Sequence, residues 1–162
     1  MKVGVLTLSD KGSKGERKDT SGPAIREMVK KIGGEVVEYK IAPDDLETIK
    51  KTLIEWSDQG IHLILTTGGT GFSPRDNTPE ATAAVIEKQA PGIAEAIRYY
   101  GLQKTPKAML SRAVAGIRKQ SLIINLPGSE RGARESLEAI LDTLPHAIEL
   151  LTGKAGDCAK PA

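Results

Sequence analysis

The chain has 162 residues, 39% of them hydrophobic and 27% charged, and 23 basic against 21 acidic side chains give a net charge of +2. That length suits one domain with its own core, and no stretch approaches the roughly 20 apolar residues of a membrane span. So balanced a charge does not by itself imply a nucleic-acid footprint, and only 3% aromatic residues leave little for base stacking.

Met1 to Leu8 is rich in Val and Leu without alternation, the pattern of a strand covered on both faces. It begins at Met1 with no charged-then-apolar leader, so a cytoplasmic location is expected. Ser9 to Thr20 carries Lys11, Lys14, Arg17 and Lys18 among glycines and is expected to be a polar loop. A helix is predicted from Ser21, with Pro23 in its first turn, Ile25, Met28, Val29 and Ile32 on one face, and Gly33-Gly34 as its stop. Glu35 to Ile41 reads as a second strand. Leu46, Ile49, Leu53 and Trp56 then recur at helical spacing, with Asp44 or Asp45 able to cap that helix. Ile61 to Leu65 is a third buried strand, followed by a loop from Thr66 to Asn77.

Thr78-Pro79-Glu80 is a strong helix start, and that helix is expected to run to about Gln89. Pro91-Gly92 breaks the chain before another helical segment at Ile93 to Tyr100. Ala113 to Ile117 and Ser121 to Leu126 suggest a strand pair, or a strand after a helical turn. A last helix is predicted behind Pro127-Gly128-Ser129, kinked at Pro145, and Lys154 to Ala162 reads as a flexible tail behind a single domain at 1–153. Alternating strands and helices argue an α/β fold: a mostly parallel sheet with helices on both faces.

Ligands of such sheets collect beyond the carboxyl ends of the strands, so chemistry is expected in the loops Ser9–Thr20, Ala42–Asp45, Thr66–Asn77 and Leu126–Ser129. In Thr66-Thr67-Gly68-Gly69-Thr70-Gly71, glycines let backbone N–H groups approach an anion and threonine hydroxyls add donors. Neither a Walker loop nor the dinucleotide fingerprint is present. Asp76 stands just ahead of a helix start, as a capping carboxylate or a functional one. Asp44 also ends a strand, and two carboxylates at one mouth can hold Mg²⁺ against phosphates. Pro127-Gly128-Ser129, before a helix bearing Arg131 and Arg134, is a second anion site or a plain N-cap. Cys158 is the one cysteine, so no internal disulfide or thiolate metal site is expected, and His62 and His146 lack ligand spacing.

The segments Thr66 to Gly71, Pro74-Arg75-Asp76-Asn77-Thr78-Pro79-Glu80-Ala81, Leu110-Ser111-Arg112 and Asn125 to Ser129 together resemble the MogA/MoaB family of molybdenum-cofactor biosynthesis proteins, which includes the G domains of gephyrin and plant Cnx proteins. The resemblance covers nearly the whole chain. It implies a three-layer molybdopterin-binding fold, a homotrimer that can pair into a hexamer, and transient contact with other enzymes of the cofactor's synthesis. It implies Mg²⁺-dependent transfer of AMP from ATP to the terminal phosphate of molybdopterin, with pyrophosphate as the second product. Asp44 and Asp76 match the two aspartates of catalysis and metal handling. Gly68, Gly69, Thr70 and Gly71 match the phosphate cradle, and Ser9, Asp10, Ser111, Pro127, Gly128 and Ser129 match segments lining the pterin or nucleotide site. Pro74 to Pro79 follows the MogA pattern, whereas Ser111 to Gly116 is closer to MoaB. A non-catalytic molybdopterin-binding or scaffold protein of the MoaB type is the alternative.

Overall fold

A computed structural model describes residues 1–154 and 156. A six-stranded sheet runs through it, built from β1 (Lys2–Leu8), β2 (Glu35–Ala42), β3 (Leu63–Thr67), β4 (Lys88–Gln89), β5 (Ala115–Arg118) and β6 (Ser121–Leu126) in the order β2-β1-β3-β6-β5-β4. The β2, β1, β3 and β6 strands are parallel, and β5 and β4 add on antiparallel. The mostly parallel sheet is as expected.

Strand residues alternate between two cores, which is why the sequence shows apolar runs rather than alternation. Val3, Val5, Leu63, Leu65, Leu122 and Ile124 face one layer of helices; Leu6, Leu8, Ile64 and Ile123 face the other. The first layer is α2 (Ser21–Lys30), α5 (Pro91–Leu102), α6 (Glu130–Glu138) and α7 (Leu144–Leu151), and the second is α3 (Leu46–Asp58) and α4 (Thr78–Val85). Each fully buried Leu or Ile contributes about 1.5–3 kcal/mol. Gly4 is needed where the Trp56 ring lies on β1, since a Cβ there would stand 2.7 Å from Trp56 Cε3.

Several boundaries differ from the predicted ones. The expected loop Ser9–Thr20 contains a one-turn helix, α1 (Asp10–Ser13), because Ser9 caps it by accepting from the Gly12 N–H at 2.9 Å. Thr66 and Thr67 belong to β3, which starts at Leu63 rather than Ile61, and their β-branched side chains are fully buried. The helix expected to reach Gln89 stops at Val85, and β4 follows, drawn into the sheet by β5. Pro91 opens α5 rather than preceding it. Pro106–Leu110 forms an unforeseen 3-10 helix under the Thr105 cap. The predicted last helix is broken into α6, a 3-10 turn at Leu141–Thr143 and α7; Pro145 lies in the first turn of α7 and starts a helix instead of kinking one. Of the two readings for 113–126, the strand pair is correct, turning at Lys119 with φ 52°. The expected tail, apart from Lys154 and Gly156, lies outside the described residues.

The chain steps from β1 out to β2, then returns to place β3 on the other side of β1. This reversal opens a crevice at the carboxyl ends of β1 and β3. Asn125, fully buried on β6, braces it: its side-chain amide donates to Thr66 Oγ1 and Thr82 Oγ1, each at 2.9 Å, and its Oδ1 accepts from the Val114 N–H. One side chain thereby fixes the register of β3, β5 and the helix that follows the glycine loop.

Candidate active site

The glycine loop leaves β3 through two left-handed residues, Gly68 (φ 103°) and Gly69 (φ 67°). A Cβ on Gly68 would lie 2.4 Å from the Leu8 carbonyl, and one on Gly69 would lie 2.3 Å from Thr78 Oγ1 and 2.7 Å from Asp44 Oδ1. Only glycine meets both the backbone conformation and the crowding. Thr78, at the start of α4, holds the loop: its hydroxyl donates to the Gly68 carbonyl at 2.9 Å and its N–H to the Gly69 carbonyl at 3.2 Å. The N–H groups of Gly69, Thr70, Gly71 and Phe72 have no acceptor among the described residues. Free successive amides of this kind are an anion receptor.

Asp44 and Asp45 are neighbours with opposite fates. Asp45 caps α3, accepting from the Thr48 N–H at 2.9 Å and the Thr48 hydroxyl at 2.6 Å. Asp44 is thereby turned into the crevice, where its Oδ1 is buried without a hydrogen-bond partner among the described residues. Burial, then the carboxylates of Asp10 and Asp76, push its pKa up to about 6. Asp10 runs the other way. Arg75 donates to its Oδ2 from Nε at 3.0 Å and Nη2 at 2.7 Å, the Asp44 N–H donates to its Oδ1 at 3.0 Å, and its pKa is lowered by those partners. Asp76 does not cap α4, whose N-cap is Asn77; its Oδ2 accepts from the Ser73 N–H at 3.1 Å and would stand 3.0 Å from a Cβ on Gly71. The unpartnered Asp44 oxygen, with one neighbouring carboxylate, fits the one or two protein ligands that a hard cation such as Mg²⁺ takes beside phosphates and waters. Among the described residues no three or more acidic, His or Cys side chains gather into a metal cage.

The predicted residues fall into two adjoining basins. Ser9, Asp10, Asp44, Gly68, Gly69 and Gly128 line a polar cleft of about 500 Å³ that Lys11, Arg17 and Lys18 also rim. Thr70, Gly71, Ser111 and Pro127 line a more apolar one of about 330 Å³ between α5 and α6. Ser129 belongs to both. Ser129 is also the N-cap of α6, accepting from the Gly132 N–H at 3.0 Å, so the plain-cap reading holds for its lone pair while its own proton has no acceptor among the described residues. Asp76 lies at the back of the glycine loop, outside both linings but close enough to raise the pKa of Asp44.

Asp19 belongs to no motif in the sequence. It lines the polar cleft and accepts from Thr7 Oγ1 at 2.8 Å, Ser21 Oγ and the Gly22 N–H at 3.1 Å each, and the Tyr39 hydroxyl. Burial opposes its charge, but these donors prevail and its pKa is lowered; Tyr39, desolvated and bonded to that carboxylate, is pushed up to about 12. The available signal was a carboxylate two residues ahead of a Ser-Gly-Pro helix start. Arg98 was equally silent, a half-buried cation beside the apolar basin that donates to the Ser111 and Ala113 carbonyls.

Free amides, an unpartnered buried carboxylate oxygen and paired basins at a sheet's switch point give this α/β protein a site suited to phosphorylated ligands. Comparison with known proteins narrows this. Residues 4–146 match a family model described as a probable molybdopterin binding domain, and the chain belongs to that family. It is 45% identical to the molybdopterin adenylyltransferase of Helicobacter pylori J99, over 93% of this chain and 88% of that protein. It is 46% identical to gephyrin of Dictyostelium discoideum over 94% of this chain, which spans only 23% of gephyrin. Among solved structures, the molybdopterin biosynthesis enzyme MoaB of Thermus thermophilus superposes with a TM-score of 0.90 at 56% identity, covering 94% of this chain and 97% of that one.

Proposed function

We propose that residues 1–153 act as one molybdopterin adenylyltransferase unit in the synthesis of the molybdenum cofactor. The terminal phosphate of molybdopterin attacks the α-phosphorus of ATP, an O–P bond forms as the bond to the β-phosphate bridge breaks, and adenylyl-molybdopterin and pyrophosphate leave. The observation that carries this reading is the juxtaposition of four free amides with the unpartnered Asp44 Oδ1, which comes within 2.7 Å of the Cβ position of Gly69. Relatives that bear the adenylyltransferase name and match most of their length support it.

Nucleotidyl transfer needs alignment and charge neutralisation rather than a protein nucleophile. The Gly69 to Phe72 amides bind and orient a phosphate at the wall between the basins, and Ser129, facing both, donates to whichever group bridges them. Asp44, with Asp76 or Asp10 beside it, would hold Mg²⁺, which would supply neutralisation of phosphate charge. Arg75 keeps Asp10 ionised and fixed, and through the Asp44 N–H that carboxylate sets the orientation of Asp44.

A cytoplasmic homotrimer goes with this reading. Phe72, Tyr99 and Met109 are 69%, 71% and 63% exposed, and Tyr99 and Met109 sit on elements that pack against each other, offering apolar area for a second copy of the chain. The test is incubation of the protein with molybdopterin, Mg²⁺ and α-labelled ATP. Label in a pterin product with release of pyrophosphate is expected. Molybdopterin bound without label would sink the transferase reading and leave a scaffold.

A further inference from the structure

Arg112 touches neither basin, yet it holds half of the anion receptor. Its backbone N–H donates to the Thr70 carbonyl at 2.9 Å, its Nε to the Gly71 carbonyl at 2.8 Å, and its Nη2 to the Asp76 carbonyl at 3.0 Å, while Nη1 pairs with Glu80 on α4. No peptide bond among the described residues is cis, and in a trans peptide the carbonyl of one residue and the N–H of the next point in opposite directions. Thr78 draws the Gly68 and Gly69 carbonyls to one side, which turns the Gly69 and Thr70 N–H groups to the other. Arg112 does the same to the Thr70 and Gly71 carbonyls, turning out the Gly71 and Phe72 N–H groups. Two residues from different parts of the chain therefore account for all four free amides.

We infer that Arg112 is a positioning residue that aims the Gly71 and Phe72 amides at a bound phosphate and fixes the Asp76 end of the loop. This deepens the reading of the glycine loop as a phosphate cradle and rests on it. The planar guanidinium makes the arrangement possible: Nε, Nη1 and Nη2 diverge to three acceptors, whereas a lysine ammonium would satisfy Glu80 or one carbonyl but could not span the set.

The test is a titration of the native protein, R112A and R112K with pyrophosphate, followed by the amide shifts of Gly69 to Phe72, beside thermal melts and AMP-transfer kinetics. Native amides at all four positions should respond. R112A keeps the backbone bond to the Thr70 carbonyl and loses those to the Gly71 and Asp76 carbonyls, so the Phe72 response should be lost, the Gly71 response should weaken, and pyrophosphate affinity should fall about tenfold or more, as expected for loss of charge-assisted bonds. R112K should stay close to R112A; should R112A fail to fold, R112K carries the same comparison. Native-like affinity and shifts in folded R112A, or full rescue by R112K, would overturn the inference, the latter by reducing Arg112 to a charge beside Glu80. A lower melting temperature with unchanged shifts would assign it a purely structural role and overturn it equally. Pyrophosphate binding does not require AMP transfer. A native protein that binds pyrophosphate through these amides but transfers no AMP loses the transferase reading and keeps this one, whereas native amides silent to pyrophosphate remove this one.

Discussion

Asp44→Asn should stabilise the protein while destroying its activity. The Asp44 carboxyl titrates at about 6 in the fold against 3.8 for an ordinary aspartate, chiefly through burial. A raised carboxyl is favourable in its protonated form, so the native protein loses stability from this group as pH rises from about 4 through 6, and the loss is complete above that. Two units correspond to about 3 kcal/mol; because Asp44 is only part-buried, solvent screening reduces this to about 1–2 kcal/mol. For a chain of this size that is a rise of about 3–6 °C in melting temperature for the variant at pH 8. The gap should close towards pH 4, where the native carboxyl is protonated in the fold. Thermal melts of both proteins at pH 8 and pH 4, with and without Mg²⁺, measure it, and Mg²⁺ should raise the melting temperature of the native protein alone. A variant that melts at or below the native protein at pH 8, or a gap that persists unchanged at pH 4, would refute the account of Asp44 as an ionised group held at a cost.

Asp76→Ala removes one exposed hydrogen bond, to the Ser73 N–H, so stability should change by less than about 1 kcal/mol. AMP transfer should nevertheless fall on the order of 100-fold or more, and full activity in the folded variant would take Asp76 out of the mechanism. Gly69→Ala forces a Cβ into Thr78 Oγ1 and Asp44 Oδ1 at a left-handed φ, which should cost about 1–3 kcal/mol and show as a depressed melting temperature. Asn125→Ala should cost about 2–4 kcal/mol by orphaning the Thr66 and Thr82 hydroxyls and the Val114 N–H; an unchanged denaturant midpoint would contradict the bracing role. Sedimentation at micromolar concentration should give a trimer, and a monomer would contradict the proposed assembly.

Much of this was legible in the sequence because apolar runs, glycine pairs and helix starts are local signals. The parallel strands, α2, α3 and the glycine loop appear near their expected places. The boundaries that moved are those set by tertiary partners: Ile86 to Gln89 has helical pattern, but β5 offers it a sheet edge, and Leu141 to Leu151 reads as one helix until Pro145 takes a helix start. Within the site, Gly68, Gly69 and Asp44 were legible because their residue types are constrained by backbone conformation or by position at a strand end. Asp19 and Arg98 were not, since their importance lies in partners that the fold alone brings to them. Arg112 lay in a recognisable motif, but its three carbonyl acceptors, at Gly71 and Asp76 for the side chain and at Thr70 for its own N–H, exist only after folding.

The loops after β3 and β6 meet through bare backbone, a Cβ on Gly128 standing 3.2 Å from the Gly68 Cα. Both glycines line the polar cleft, so its wall there is main chain and has no rotamers. The seat of a ligand against that wall is a property of main-chain geometry, insensitive to side-chain fluctuation. Substitutions around the rim can retune which ligands enter while that seat stays constant.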